Sequence, residues 1–377
     1  MKFFIILKII ITKIIRLNLA FIKRQVSGYP KFVEKFENNF AKYIGKKYGI
    51  SFCNGTSSIE AAIYALNFSK DDEILVPSST FHASIGPIKN LNCKPIFVDV
   101  NSSSLTIDCE DLQSKITERT KGILIVHTWG FPCNMDLILD IVKKNNLKLV
   151  EDCSHAHGAL YDGKKIGSFG DISCFSLQGN KSVAAGEGGI SLTNDKELFL
   201  KMSTYGHFNR HENDLNEYNN LRSFSKTGIS KKLRAHPLGI CLASVDLEYL
   251  DILNKYRNEI CSKIDNIFIK YNSINVIKIH EKAKRAGFFG GHPFVIDKED
   301  KIKEIKENFR KFNINLLPYP WPLHHKMKIF NTNENKLKNT EELKNKLFSI
   351  GMPFFLNFDF QNLEKCLLSC KALDLID

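Results

Sequence analysis

From residue 28 onward the chain alternates between two hydrophobic periods. Apolar residues recur at helical spacing over 32–43 (Phe32, Val33, Phe36, Phe40, Tyr43) and again over 57–66, which predicts two helices. Short continuous apolar runs lie at 73–76, 95–98, 122–126 and 147–150, each bounded by turn residues or a helix. That is how strands buried on both faces of a parallel sheet read. Two further strand-like runs, 171–177 and 189–192, flank a glycine-rich loop, and a long helical stretch follows Pro237 through Leu250 and Tyr256. The remainder alternates helices with short strands around 294–296. Such alternation predicts an α/β layer architecture with a largely parallel sheet. We place a domain change near residue 246, giving an N-terminal segment over 1–25, a large α/β domain over 26–245 and a smaller C-terminal domain over 246–377.

Residues 1–22 are strongly apolar but interrupted by Lys8, Lys13 and Arg16, too soon for a bilayer-spanning run. A secretory signal would need an unbroken apolar core and a small-residue cleavage site. Lys8, Thr12, Lys13 and Arg16 share one helical face with Ile and Leu opposite, the pattern of a basic amphipathic helix. Packing on its own domain or a partner subunit is the ordinary fate of such a helix; peripheral contact of residues 1–24 with an anionic membrane is the other.

The 377 residues suffice for two or three compact units at roughly 150 residues each. With 43% hydrophobic and 25% charged residues, neither a disordered chain nor a multi-span membrane protein fits. A net charge of +12 admits nucleic acid, an anionic membrane or phosphorylated small molecules as partners. The lysines, however, interleave with acids, as over 298–311, and read as solvated helix faces, so no nucleic-acid partner is expected. Ten cysteines without a CxxC pair read as free thiols in a reducing compartment, and a cytoplasmic location follows.

The residues that could carry chemistry lie at element ends. Cys53-Asn54-Gly55-Thr56-Ser57-Ser58 joins a strand-like run to a helix, and offers either an anion site at a helix N-terminus or simple N-caps. Glu151 and Asp152 end a buried strand, where open α/β sheets bind ligands. Ser154, His155 and His157 follow; His-Ala-His lacks a third ligand nearby, and no metal site is expected. Lys181 lies beyond the 171–177 strand in the glycine-rich loop. A lysine buried there could act as an amine nucleophile, though most lysines are surface cations.

Taken in order, these segments resemble the DegT/DnrJ/EryC1/StrS family of pyridoxal-phosphate sugar aminotransferases. The resemblance rests on Asn54-Gly-Thr-Ser57, Pro77-Ser-Ser-Thr-Phe81-His-Ala, Phe97-Val-Asp99-Val, Glu151-Asp152-Cys-Ser-His155-Ala-His157, Gly167-Ser-Phe-Gly-Asp171, Phe175-Ser-Leu177, Lys181, Gly186-Glu-Gly-Gly189 and Lys232-Leu-Arg234. It implies the aspartate-aminotransferase-like (type I) three-layer fold, with a mostly parallel central sheet and a smaller C-terminal α+β domain. It implies pyridoxal 5'-phosphate as cofactor, held covalently by Lys181, with Asp152 paired to the ring nitrogen, His155 near the ring and Phe81 stacked on it. Thr56, Ser57 and Ser176 match the phosphate cradle. Lys232 stands where many members have Asn, in a segment that reaches the phosphate across a homodimer. Arg234 and His324 match positions near the sugar. The activity implied moves an amino group from glutamate or glutamine to a keto sugar, normally linked to a nucleoside diphosphate, for surface polysaccharide or glycan precursors. A dehydratase of the same fold would carry His in place of Lys181, and a non-catalytic binding or regulatory member would not need the Asp152/Lys181 pair.

Overall fold

Helix formation begins where apolar spacing and end signals agree. Lys31–Ile44 follows Pro30, buries Val33, Phe36, Phe40 and Ile44, and stops at Gly45, whose φ of 92° suits a residue without a side chain. The computed structural model describes residues 2–287, 291–330, 336–351, 358–370 and 373. Its strands in chain order are β1 (Tyr48–Phe52), β2 (Glu73–Pro77), β3 (Lys94–Val98), β4 (Thr120–Val126), β5 (Lys148–Asp152), β6 (Leu160–Tyr161), β7 (Lys164–Lys165), β8 (Ile172–Ser176) and β9 (Gly189–Thr193). After the long helix Pro237–Phe268 come β10 (Ile274–Val276), β11 (Ala283–Lys284), β12 (His292–Ile296), β13 (Leu316–Pro318) and β14 (Leu347–Ile350).

The central sheet has seven strands in the order β1-β9-β8-β5-β4-β2-β3. Its pairings from β8 to β3 are parallel, as expected, whereas β9 runs antiparallel to both β8 and β1. Successive residues of one strand feed opposite layers: Ile123 and Ile125 join the core that contains Phe36 and Phe40, while Leu124 and Val126 join the core of Ile59 and Ile63. Helices therefore cover both faces, in three layers. A second sheet, β10-β12-β14-β13, is antiparallel throughout and packs with Ile260, Ile264 and Phe268 of the long helix into a separate core. Residue 246 falls inside this helix, which runs unbroken across it.

The N-terminal helix Lys2–Ile22 packs along the long helix, burying Ile6, Ile9 and Ala20, with Lys13 and Arg16 turned toward it. Lys13 pairs with Asp246 at 2.6 Å, and Arg16 reaches both carboxylate oxygens of Glu248 at 2.7 Å. Of the basic positions that made an anionic surface a candidate partner, Lys13 and Arg16 are thus engaged within the chain, while Lys8 is exposed. Phe4, Ile11, Ile14 and Ile15 face solvent instead. Among the described residues no helix is long and apolar enough to cross a membrane.

Candidate active site

The antiparallel turn from β8 to β9 is what places Lys181. A parallel neighbour would need a long crossover, whereas a hairpin returns at once along the same sheet edge. Leu177 N–H donates to Gly188 and Gly179 N–H to Gly186, at 2.8 and 2.7 Å, closing the loop over the carboxyl end of β5. There Asp152 ends its strand, 4% exposed. Its Oδ2 accepts from the Ser84 hydroxyl at 2.7 Å and its Oδ1 from the Ser154 N–H at 3.0 Å, so the carboxylate is fixed. Desolvation pushes the Lys181 ammonium down to about 8, with the Asp152 charge pulling the other way.

Both side chains line a cavity of about 120 Å³ with Asn54, Thr56, Phe81, Ser84, His155 and Ser176. The Asn54 side chain caps the helix Gly55–Ala65 by accepting from Ser57 N–H at 2.8 Å, which leaves the helix N-terminus facing the cavity. The cradle is tight: a Cβ on Gly55 would lie 2.9 Å from Ser176 Cβ, and one on Gly189 2.3 Å from the Asn54 carbonyl oxygen. Ser57 itself is turned away, buried against Cys53 Sγ at 3.5 Å. Phe81 is half exposed at the rim, 50% accessible. His155 accepts the Trp129 N–H at 3.3 Å and stacks on Trp321 with centroids 6.3 Å apart. Desolvation first, then the charge of Lys181, holds its imidazole well below the ordinary histidine range, and therefore neutral.

Besides Ser57, three sequence candidates lie outside this cavity in the single chain. Lys232 is exposed, and its neighbours run beside the entry to the cradle, where Cys53 N–H donates to Leu233 at 2.7 Å. Arg234 lies over the rings of Tyr29 and Phe208. His324 is fully buried, with Nδ1 at 3.0 Å from the Ser78 carbonyl oxygen. Conversely, Ser84, Thr80 and Trp321 belong to the site or its wall and were not singled out. Ser84 falls just beyond the Pro77–Ala83 run, and Trp321 comes from far along the chain, so only a strand-end carboxylate in need of donors could have signalled the first.

Glu151, next to Asp152, faces the opposite layer and serves structure. Its carboxylate accepts from the N–H groups of Gly167, Phe169 and Gly170 at 2.9, 2.9 and 2.6 Å and lies 3.3 Å from His127 Nε2. With His127 and Cys153 it forms the metal-like grouping of the described residues, but these bonds already satisfy it. A larger groove of about 640 Å³ lies between the N-terminal helix, Lys31–Ile44 and the long helix, and in it Arg16 and Glu248 are paired with each other.

Residues 15–360 match the DegT/DnrJ/EryC1/StrS aminotransferase family. The chain belongs to that family. Among curated relatives, it is 34% identical over 328 residues to a dTDP-3-amino-3,6-dideoxy-alpha-D-galactopyranose transaminase of Aneurinibacillus thermoaerophilus, covering 84% of each chain. It is 42% identical over 174 residues to a GDP-perosamine synthase of Escherichia coli O157:H7, a match spanning 46% of this chain and 48% of that one. Among solved structures, an aminotransferase from Psychrobacter cryohalolentis superposes with a TM-score of 0.83 at 24% identity over 94% of both chains. A 3-amino-5-hydroxybenzoic acid synthase superposes with a TM-score of 0.84 at 22% identity over 96% of both. The α/β, aspartate-aminotransferase-like expectation therefore holds for the family member as a whole.

Proposed function

We propose that this protein is a pyridoxal-phosphate-dependent aminotransferase that passes an amino group from glutamate or glutamine to a nucleotide-linked keto sugar. The observation that carries the reading is the meeting of Lys181 and Asp152 beside a helix N-terminus at one sheet edge. The residues present fit the cofactor. They supply an amine, a carboxylate fixed by two donors, and hydroxyls of Thr56 and Ser176 around a cradle that a Cβ at Gly55 would crowd. When bound, pyridoxal phosphate supplies an electron sink for the carbon that loses its proton. Asp152 would hold the ring-nitrogen proton, Phe81 would cover one ring face, and neutral His155 would lie near the ring. Lys181 Nζ would carry the proton between substrate carbon and cofactor. Lys181 also separates this reading from the dehydratase one, which calls for His there.

We further propose a homodimer in which Lys232 of the second copy reaches the phosphate, with Arg234 and His324 toward the sugar. Ten free cysteines suit the reducing cytoplasm as its compartment. The test is the absorbance of purified wild type and Lys181→Ala with pyridoxal phosphate, before and after excess glutamate. Wild type should show a covalent cofactor band that glutamate bleaches, and Lys181→Ala no such band. A wild type that never acquires the band defeats the reading and leaves a binding protein of the same fold.

A further inference from the structure

Half of the large hydrophobic side chains exposed among the described residues belong to one element, the helix Lys2–Ile22. Phe4, Leu7, Ile11, Ile14 and Ile15 follow one another at three- or four-residue spacing and therefore share one face. Ile22 extends this stripe to the end of the helix, so that it runs for about 30 Å. The opposite face is already occupied: Ile6 and Ile9 join the core that contains Val245, Leu253 and Tyr256 of the long helix. Phe4 is 71% and Ile22 78% exposed, and a contiguous apolar patch of this kind marks an interaction surface.

The charged residues of the helix and of the turn after it are all basic, and no acid precedes Glu34 in the sequence. Lys13 and Arg16 meet Asp246 and Glu248 on the inner side. Lys8 borders the stripe three residues before Ile11, and Lys23 and Arg24 follow its end; all three are exposed and have no acidic partner among the described residues. Lys35 and Lys42 add to them along the adjoining groove, whose one acid, Glu248, is bound to Arg16. An apolar stripe bordered by cations suits a helix lying in the plane of a bilayer, with its apolar side chains among the acyl chains and its lysines at the phosphates. A second copy seated on the stripe by a two-fold axis would instead set these cations against their own equivalents. We propose that the outward face of this helix docks the protein on an anionic lipid bilayer. The apolar residues, rather than Lys13 and Arg16, then meet the membrane. This docking and the chemistry at Lys181 stand or fall separately.

The test is co-sedimentation of the full chain with vesicles of phosphatidylcholine, alone or mixed with phosphatidylglycerol, at low and high salt. Wild type should bind the mixed vesicles more tightly than the neutral ones, and high salt should narrow the difference. The double variant Ile11→Gln, Ile15→Gln removes two inserted side chains and should weaken binding to both vesicle types roughly 10- to 100-fold. Lys8→Gln with Lys23→Gln should weaken binding to the mixed vesicles alone, on the order of fivefold for each lysine. Phe4→Gln, near the free end of the helix, carries the test if the isoleucine variant does not fold. A wild type that stays in the supernatant overturns the proposal, as does equal binding to neutral and mixed vesicles. Binding that the isoleucine and phenylalanine variants leave unchanged overturns it too. So does loss of a subunit contact in the isoleucine variant, read by sedimentation velocity without lipid, because a second copy then covers the stripe.

Discussion

The chemistry asked of Lys181 depends on its protonation. With its ammonium lowered to about 8, about a tenth of the side chain is the free amine at neutral pH, against about three in ten thousand for an ordinary lysine. Desolvation produces the shift and the Asp152 charge opposes it. In cofactor-free protein, carbamylation of Lys181 by cyanate, followed by mass spectrometry, should rise with pH to half its plateau near pH 8. Asp152→Asn removes the group that favours the ammonium, so its midpoint should move to lower pH. A midpoint unmoved in the variant would show that the carboxylate does not reach the amine.

At the scale of elements, the cradle depends on how closely β9 approaches the turn before the helix Gly55–Ala65. Alanine at Gly189 would set its Cβ 2.3 Å from the Asn54 carbonyl oxygen, and backbone cannot yield as a flexible side chain does. Gly189→Ala should therefore cost about 1–3 kcal/mol, as overpacking does, and weaken pyridoxal phosphate retention. Asn54→Ala, which removes only the cap, should cost about 1 kcal/mol. Urea midpoints check both, and a Gly189→Ala protein as stable as wild type would mean that β9 shifts freely. Much of this level was legible in the sequence. The strands expected at 73–76, 95–98, 122–126, 147–150, 171–177 and 189–192 all form within a residue or two, because runs buried on both faces have few other fates. The reversed direction of β9 was not legible, since such a run reads alike in either direction. Lys181 and Asp152 were visible because each ends a run at the ligand-binding edge. Ser84 and Trp321 were not, because what distinguishes them is a contact across the fold.

At the scale of the whole molecule, the N-terminal helix shows how an amphipathic pattern can be right while its orientation stays open. Its basic stripe was plain, but the acids it meets, Asp246 and Glu248, lie more than 200 residues away on another helix. Lys13 is 25% and Asp246 9% exposed, so this pair is neither a surface bridge nor a fully buried one. Lys13→Ala should cost about 1–3 kcal/mol at neutral pH, between those two limits. The sign with pH follows from Asp246. Its folded-state pKa is already raised, by burial first, with Lys13 opposing the rise. Without Lys13 it rises further, so the folded state binds a proton that the unfolded chain releases, and stability falls as pH climbs through that window. The loss caused by Lys13→Ala should therefore be largest at neutral pH and shrink in mildly acidic buffer, where Asp246 is protonated. On the outward face, Ile11→Gln and Ile15→Gln should change stability by no more than about 0.5 kcal/mol, because both side chains are about half exposed, at 48% and 52%. Urea unfolding of the three variants at both pH values separates the contributions: a large loss at Ile11 or Ile15 would mean that the outward face is covered, and none at Lys13 that Ile6, Ile9 and Ala20 alone hold the helix.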